Sequence, residues 1–132
     1  MDNSGNFWAD ADDPNGAPTL TYFAGCSGKG VKASGFAPFD YGSIDIDKSG
    51  NLVIIDGNNG NGTASVDVYS GCKPACKLLS STPLIAYVIR GRLNRRDDNF
   101  VVGDFNNNQV DIYKYKPISF SLSALLGIVS AS

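Results

Sequence analysis

The segment DIDKSGNLVIID, from Asp45 to Asp56, carries oxygen-bearing side chains at the spacing of a calcium-binding loop. Calcium loops of the EF-hand type place ligands at alternate positions, a glycine at the sixth place and a bidentate glutamate at the twelfth. Here Gly50 occupies the sixth place and Asp56 the twelfth. The residues that could bind calcium in this way are Asp45, Asp47, Ser49, Asn51 and Asp56.

The same residue types also suit a tight turn between two strands. A glycine supplies the positive φ that such a turn needs, and the Asp47 carboxylate can accept hydrogen bonds from nearby backbone N–H groups. The flanking segments are strand-like, whereas an EF-hand needs helices. In a later copy of the repeat described below, Leu93 and Arg95 replace Asp45 and Asp47. We therefore expect a structural turn, with a calcium site as the alternative, and we interpret the acidic cluster Asp10–Gly16 in the same way.

Composition limits the chemistry that the chain can perform. The 132 residues are 42% hydrophobic and 18% charged, which is typical of one folded domain with a core of its own. The sequence contains no histidine, which excludes Ser-His-Asp and Cys-His catalysis within this chain. A net charge of -2 gives no broad basic field, so we expect neither a nucleic acid nor a membrane as partner.

A cluster of arginines in IRGRLNRR does not change this expectation. Asp97 and Asp98 follow directly and neutralise half of its charge, so we interpret the segment as a solvated hairpin. The apolar runs are far shorter than the roughly 20 residues of a membrane span, and the first residues do not resemble a secretory signal.

Three cysteines, Cys26, Cys72 and Cys76, cannot all pair within one monomer. Cys72 and Cys76 bracket the short turn CKPAC, where a disulfide is feasible if the Cα atoms come within about 7 Å. Three free thiols are the alternative. This cysteine pair and the Asn/Gly-rich loops suggest a secreted or cell-surface location.

The sequence repeats itself. FAGC (Phe23–Cys26) matches YSGC (Tyr69–Cys72) with a shift of 46 residues, and the same shift places Asp10 on Asp56. A further copy follows, in which NFVVGD matches NLVIID and VDIYKY matches VDVYSG. Internal repeats of this length indicate stacked copies of one small structural unit.

Each copy predicts antiparallel β-strands. SVDVYS and QVDIYKY alternate apolar and polar residues, as in a half-buried strand. LVIID and FVVGD are apolar at successive residues, which predicts strands covered on both faces. A further strand precedes each of these two, in YGSIDID and AYVIRGRL, and the terminal SLSALLGIVSAS predicts a strand that frays. The fold class is therefore all-β.

The segment GSIDIDKSGNLVIIDGNNGNGTASVDVYSG resembles the repeat of the NHL-type and related six-bladed β-propellers. This resemblance implies propeller-like blades of roughly 45 residues at about residues 5–40, 41–85 and 86–116, followed by a C-terminal strand or tail at 117–132. A closed propeller needs roughly four to eight blades. We therefore expect an incomplete propeller, completed by self-association or by remaining blades elsewhere.

The repeat, the absence of histidine and loops without a recognisable nucleophile and base predict a non-enzymatic scaffold or binding module that presents Asn/Gly-rich loops to a protein or carbohydrate partner. A sugar-lactone hydrolase of the gluconolactonase kind, with a divalent cation, is one alternative. Those enzymes use a Glu, Asn and Asp set, and this sequence offers no matching Glu. A truncated propeller fragment without an independent function is the other alternative. We expect no cofactor, unless calcium binds as described above.

Overall fold

The computed structural model describes residues 1–26, 28–57, 64–84, 88–116 and 123–130. Within these ranges the chain forms β-strands and one short 3-10 helix, Ala24–Cys26. The strands are β1 (Phe7–Asp12), β2 (Pro18–Phe23), β3 (Val31–Lys32), β4 (Tyr41–Ile46), β5 (Leu52–Asp56), β6 (Ser65–Gly71), β7 (Cys76–Pro83), β8 (Val88–Leu93), β9 (Asn99–Asp104), β10 (Gln109–Lys114) and β11 (Ser123–Ser130). Among the described residues, no helix is long and apolar enough to cross a lipid bilayer.

The strands form three open antiparallel sheets in chain order. Sheet 1 has the order β1-β2-β3, sheet 2 the order β4-β5-β6-β7, and sheet 3 the order β8-β9-β10-β11. The predicted all-β, antiparallel fold class is confirmed at this level. The terminal strand β11 pairs with β10, so sheet 3 extends past the boundary predicted at residue 116.

Sheet 2 lies between the other two sheets and is covered on both faces. Alternate side chains of a strand point to opposite faces of its sheet. Because both faces of sheet 2 are covered, every residue of β5 is buried. Leu52 and Ile54 pack with Trp8 and Leu20 of sheet 1. The opposite face packs against sheet 3 through Val53, Ile55, Val66, Val68, Phe100, Val102, Tyr113 and Tyr115. Each fully buried aliphatic side chain contributes about 1.5–3 kcal/mol of hydrophobic free energy.

Among the residues that the structure describes, only one face of sheet 3 is covered. In β9, Phe100 and Val102 are buried, whereas Val101 and Gly103 between them are only partly buried. The prediction that FVVGD is covered on both faces is therefore wrong in this structure. The sequence pattern is the same as in β5, but no further sheet among the described residues lies against this side of β9.

The strand register corrects the repeat alignment in sheet 1. Trp8 of β1 pairs with Tyr22 at the place where Val53 of β5 pairs with Val68. Trp8 therefore matches Val53, and β1 aligns with β5 after a shift of 45 residues. The residue of β1 that matches Asp56 is therefore Ala11, and the predicted match between Asp10 and Asp56 is wrong by one residue.

The first strands of sheets 2 and 3, β4 and β8, lie against each other. The Ser43 hydroxyl accepts a hydrogen bond from the Gly91 N–H and donates to the Gly91 carbonyl, both at 3.1 Å. The Asp45 carboxylate accepts a hydrogen bond from the Leu93 N–H at 2.9 Å. Backbone groups of β8 that do not face β9 are thus satisfied by side chains of β4.

Candidate functional site

The predicted calcium loop forms the hairpin turn between β4 and β5. The Asp47 carboxylate accepts hydrogen bonds from the N–H groups of Ser49 and Asn51 and from the Asn51 side chain, each at 2.9 Å. Gly50 has φ of 80°, which is the left-handed conformation that the turn requires. Asp47 therefore organises the backbone of the turn.

Asp56 lies at the other end of this hairpin. Leu52 begins β5 next to the turn and Asp56 ends it, so about 13 Å of extended chain separates them. Two oxygens bound to one calcium ion lie within about 5 Å of each other. The Asp56 carboxylate instead accepts hydrogen bonds from the N–H groups of Phe39 and Asp40 at 3.0 Å.

The structure does not bring the predicted calcium ligands together. The two Asp45 oxygens accept hydrogen bonds from the N–H groups of Ile46 and Leu93. No group of three or more His, Cys, Asp or Glu within the described ranges has an arrangement that could hold a metal ion. The metal set Asp45, Asp47, Ser49, Asn51 and Asp56 stays a prediction, and the turn interpretation accounts for the described contacts of these aspartates.

A tyrosine from sheet 3 completes the environment of Asp47. The Tyr115 hydroxyl donates a hydrogen bond to the Asp47 carboxylate at 2.9 Å, and both residues are buried. Burial, together with the nearby Asp47 charge, raises the pKa of Tyr115 well above its usual range. Sequence analysis missed this contact, because 68 residues separate the two side chains.

The same turn occurs before β1, where sequence analysis did not recognise it. The Asp2 carboxylate accepts hydrogen bonds from the N–H groups of Ser4 and Asn6 and from the Asn6 side chain. The segment DNSGN at 2–6 therefore matches DKSGN at 47–51 with the shift of 45. In the acidic cluster after β1, Asp13 forms a related turn by accepting from the N–H groups of Asn15 and Ala17.

The CKPAC turn joins β6 to β7 within sheet 2 and contacts Trp8 of sheet 1. Cys72 and Cys76 form a disulfide, and Cys26 is an exposed free thiol. The Trp8 indole N–H donates a hydrogen bond to the Cys72 carbonyl at 2.8 Å, and the Lys73 ammonium lies 5.7 Å from the centre of the Trp8 ring. The turn therefore fixes Trp8 at the junction of the two sheets.

The turn after β9 presents an exposed aromatic side chain. Asp104 accepts hydrogen bonds from the N–H groups of Asn106 and Asn107. Phe105 is 64% exposed. It lines a cleft of about 360 Å³ together with Gly103, Asp104, Asn108, Gln109, Val110 and Val129. The other Asn/Gly-rich loop, GNNGNG, lies mostly outside the described residues.

Comparison of the chain with protein-family models, with curated proteins and with solved structures finds no match.

Proposed function

We propose that the chain is a non-enzymatic scaffold module of the β-propeller type that associates with a second copy through the uncovered faces of sheets 1 and 3. The observation that carries this proposal is the difference between equivalent positions in sheets 2 and 3. Val53 and Val68 are 1% and 2% exposed beneath sheet 3. Their equivalents Val101 and Ile112 occupy the same register but lie on the outer face of sheet 3, where both are only half-buried.

The outer face of sheet 1 has the side chains that would complete this contact. Phe7 pairs with Phe23 in the position where Phe100 pairs with Tyr113. Phe100 and Tyr113 form part of the surface that sheet 3 presents to sheet 2. The Phe7 and Phe23 rings lie 5.4 Å apart, and Phe7 is 41% exposed. A second copy could therefore repeat the existing contact between sheets, with its sheet 1 against sheet 3 of the first copy.

A head-to-tail arrangement follows from the positions of these two faces. Each copy presents an aromatic face at one end of its stack and an aliphatic face at the other. Two copies of three sheets would provide six sheets, a number for which closed propellers are known. Covering the apolar faces would also remove surface that promotes unspecific aggregation.

Light scattering on the purified chain tests this proposal. We expect a mass of about twice the 13.9 kDa of one chain. Val101→Asp and Phe7→Asp should each give monomers, and an equimolar mixture of the two variants should recover dimers, because one intact pair of faces remains. Leu78→Asp is the matched control, since Leu78 is 48% exposed on β7 and lies outside both faces. A monomeric wild type at all concentrations, or a dimeric Phe7→Asp variant, would contradict head-to-tail association.

The Phe105 turn supports carbohydrate binding as a second role of the same module. An exposed aromatic ring provides a flat apolar surface, and the neighbouring Asn108 and Gln109 offer amide groups around one cleft. Binding of the protein to immobilised oligosaccharides should be lost in Phe105→Ala. The control is Phe39→Ala, because Phe39 is 62% exposed but lies outside this cleft. If the immobilised oligosaccharides bound both variants equally well, the Phe105 turn would be excluded as the binding site.

A further inference from the structure

Among the described residues, sheet 1 has no strand at the place that β4 and β8 occupy in the other two sheets. The turn at Asp47–Asn51 joins β4 to β5, and the matching turn at Asp2–Asn6 leads into β1. In sheets 2 and 3, the strand after this turn pairs with strands on both of its sides. Among the described residues, β1 pairs with β2 alone. One edge of β1 is therefore open for backbone hydrogen bonding.

The contacts between β4 and β8 indicate what would lie at this open edge. A first strand of sheet 1 would stand next to β4, as β4 stands next to β8. Ile44 and Ile46 match Gly91 and Leu93 in register. The predicted match of Leu93 to Asp45 is therefore wrong by one residue, and Arg92 occupies that place in sheet 3. Gly91 and Leu93 direct their N–H groups toward β4. The half-buried side chains of Ile44 and Ile46 pack against the cluster that contains Trp8, so this face of β4 is turned toward β1.

A cavity occupies this place. It has a volume of about 320 Å³ and lies between the start of the chain, β1, β4 and β8. Trp8, Ile44 and Ile46 give it apolar walls. Its complete lining is Met1, Trp8, Asp10, Ile44, Asp45, Ile46 and Arg92.

The charge at this edge favours a basic occupant. Asp10 and Asp12 are exposed side chains of β1, and Asp10 lines the cavity. The Asp45 carboxylate lies at the same cavity, and Arg92 supplies the opposite charge there. In the register of sheet 3, the segment of β8 between Val88 and Gly91 lies opposite the position that corresponds to Asp10. That segment consists of Ile89 and Arg90, so an added strand with the same sequence would bring one apolar and one basic residue to the place opposite Asp10.

We propose that the open edge of β1 binds an extended, basic segment of a partner protein as an added antiparallel strand. Backbone hydrogen bonds to β1 would supply affinity, and the pockets beside Trp8 and the acidic edge would supply specificity. The segment β8 shows the required chemistry, since it fills the same place in sheet 3 with alternating apolar and basic residues. This inference concerns a strand edge, and it does not depend on the stacking of copies through the sheet faces.

A synthetic peptide with the sequence of residues 88–96, VIRGRLNRR, provides the probe. Trp8 is the only tryptophan in the chain and lies in the cavity wall, so its fluorescence reports binding directly. We expect a saturable change in Trp8 emission and slower hydrogen exchange of the β1 amides. The acidic peptide YGSIDIDKS, from residues 41–49, should bind at least about tenfold more weakly because its carboxylates approach Asp10 and Asp12.

Two controls separate strand addition from unspecific attraction. A peptide methylated on the backbone nitrogen of Arg92 keeps its charge but lacks one N–H group for pairing, and its affinity should fall about tenfold or more. Asp10→Lys in the protein should lower its affinity for the basic peptide by a similar factor. Asp40→Lys, which lies outside the cavity lining, should leave this affinity unchanged. Equal binding of the methylated peptide, or protection of the β9 amides instead of the β1 amides, would overturn the proposal. Absence of any Trp8 or hydrogen-exchange response at millimolar peptide would also overturn it. Dimerisation through the sheet faces would be unaffected by these results.

Discussion

Sheets 2 and 3 have the same strand pattern but differ in their surroundings. Val53 and Val101 occupy matching places in β5 and β9, opposite Val68 and Ile112. Val53 is 1% exposed because sheet 3 covers it, whereas Val101 is only partly buried. The burial of these side chains is therefore set by the neighbouring sheet and not by the sequence of the strand.

The two sheets share a hydrogen bond within their third strand despite this difference. In sheet 2 the Ser65 hydroxyl donates a hydrogen bond to Asp67 at 2.9 Å, and in sheet 3 the Gln109 side chain donates to Asp111 at 2.8 Å. Both donors lie two residues before the aspartate that they contact. Hydrogen bonds within one strand thus recur in these two copies of the repeat. Contacts between sheets depend on the position of each sheet in the stack.

The largest expected effect comes from placing a charge at the two matching valines. Val53→Asp should destabilise the fold by more than about 4 kcal/mol, because the carboxylate would be buried without a partner between two sheets. Val101→Asp should change the unfolding free energy of the monomer by about 1 kcal/mol or less. Urea unfolding followed by circular dichroism measures both values.

The prediction for Val53→Asp and Val101→Asp requires a matched monomeric reference. A wild type that dimerises as proposed gains stability from association, so the unfolding of Val101→Asp is compared with that of Phe7→Asp, which is also expected to be a monomer. Similar losses in Val53→Asp and Val101→Asp under these conditions would mean that the two faces are equally covered. The distinction between the sheets would then not hold in solution.

The sequence predicted the strands of sheets 2 and 3 well, because alternating apolar residues and Asp/Gly turns are local signals. It did not predict which strand faces are covered, since FVVGD and LVIID have the same pattern. It also did not predict that Asp56 accepts hydrogen bonds from Phe39 and Asp40, or that Asp47 contacts Tyr115. These partners come together only after the sheets pack, so no spacing along the chain indicates them.

A smaller effect distinguishes the two DxSGN turns. Asp47→Ala should lower the unfolding free energy by about 1–3 kcal/mol, because the turn N–H groups and the buried Tyr115 hydroxyl lose their acceptor. Asp2→Ala removes the equivalent turn contacts and the ion pair with Lys73. It should still reduce the melting temperature less, because an ion pair with an exposed lysine contributes little. Tyr115→Phe separates the contact between sheets from the turn itself.

A double-mutant cycle between Asp47→Ala and Tyr115→Phe measures this coupling. We expect a coupling free energy of about 0.5–3 kcal/mol, as is usual for residues in one hydrogen-bond network. The corresponding cycle between Asp2→Ala and Tyr115→Phe should give a value near zero, since the Asp2 carboxylate hydrogen-bonds to Ser4, Asn6 and Lys73. Additive effects in the first cycle would show that Tyr115 does not stabilise the turn of sheet 2.

The smallest expected effect is a pH dependence of opposite sign in the two sheets. Burial raises the pKa of Asp67 in sheet 2, whereas the hydrogen bond from Asn94 holds the pKa of Asp98 in sheet 3 below its usual range. For Asp67, the folded state is favoured below the pKa of the unfolded chain, and this contribution is lost as the pH rises through the raised folded value. For Asp98, the contribution is present above the unfolded pKa and is lost as the pH falls through the folded value.

Thermal unfolding between pH 3 and pH 7 checks these signs. Asp67→Asn should melt a few degrees above the wild type at neutral pH, and this advantage should shrink toward acid pH as the wild-type carboxyl becomes protonated. Asp98→Asn should melt below the wild type at neutral pH and approach it in acid. If both variants followed the same pH trend, Asp67 would be as well solvated as Asp98, and the covered interior assigned to sheet 2 would be incorrect at this position.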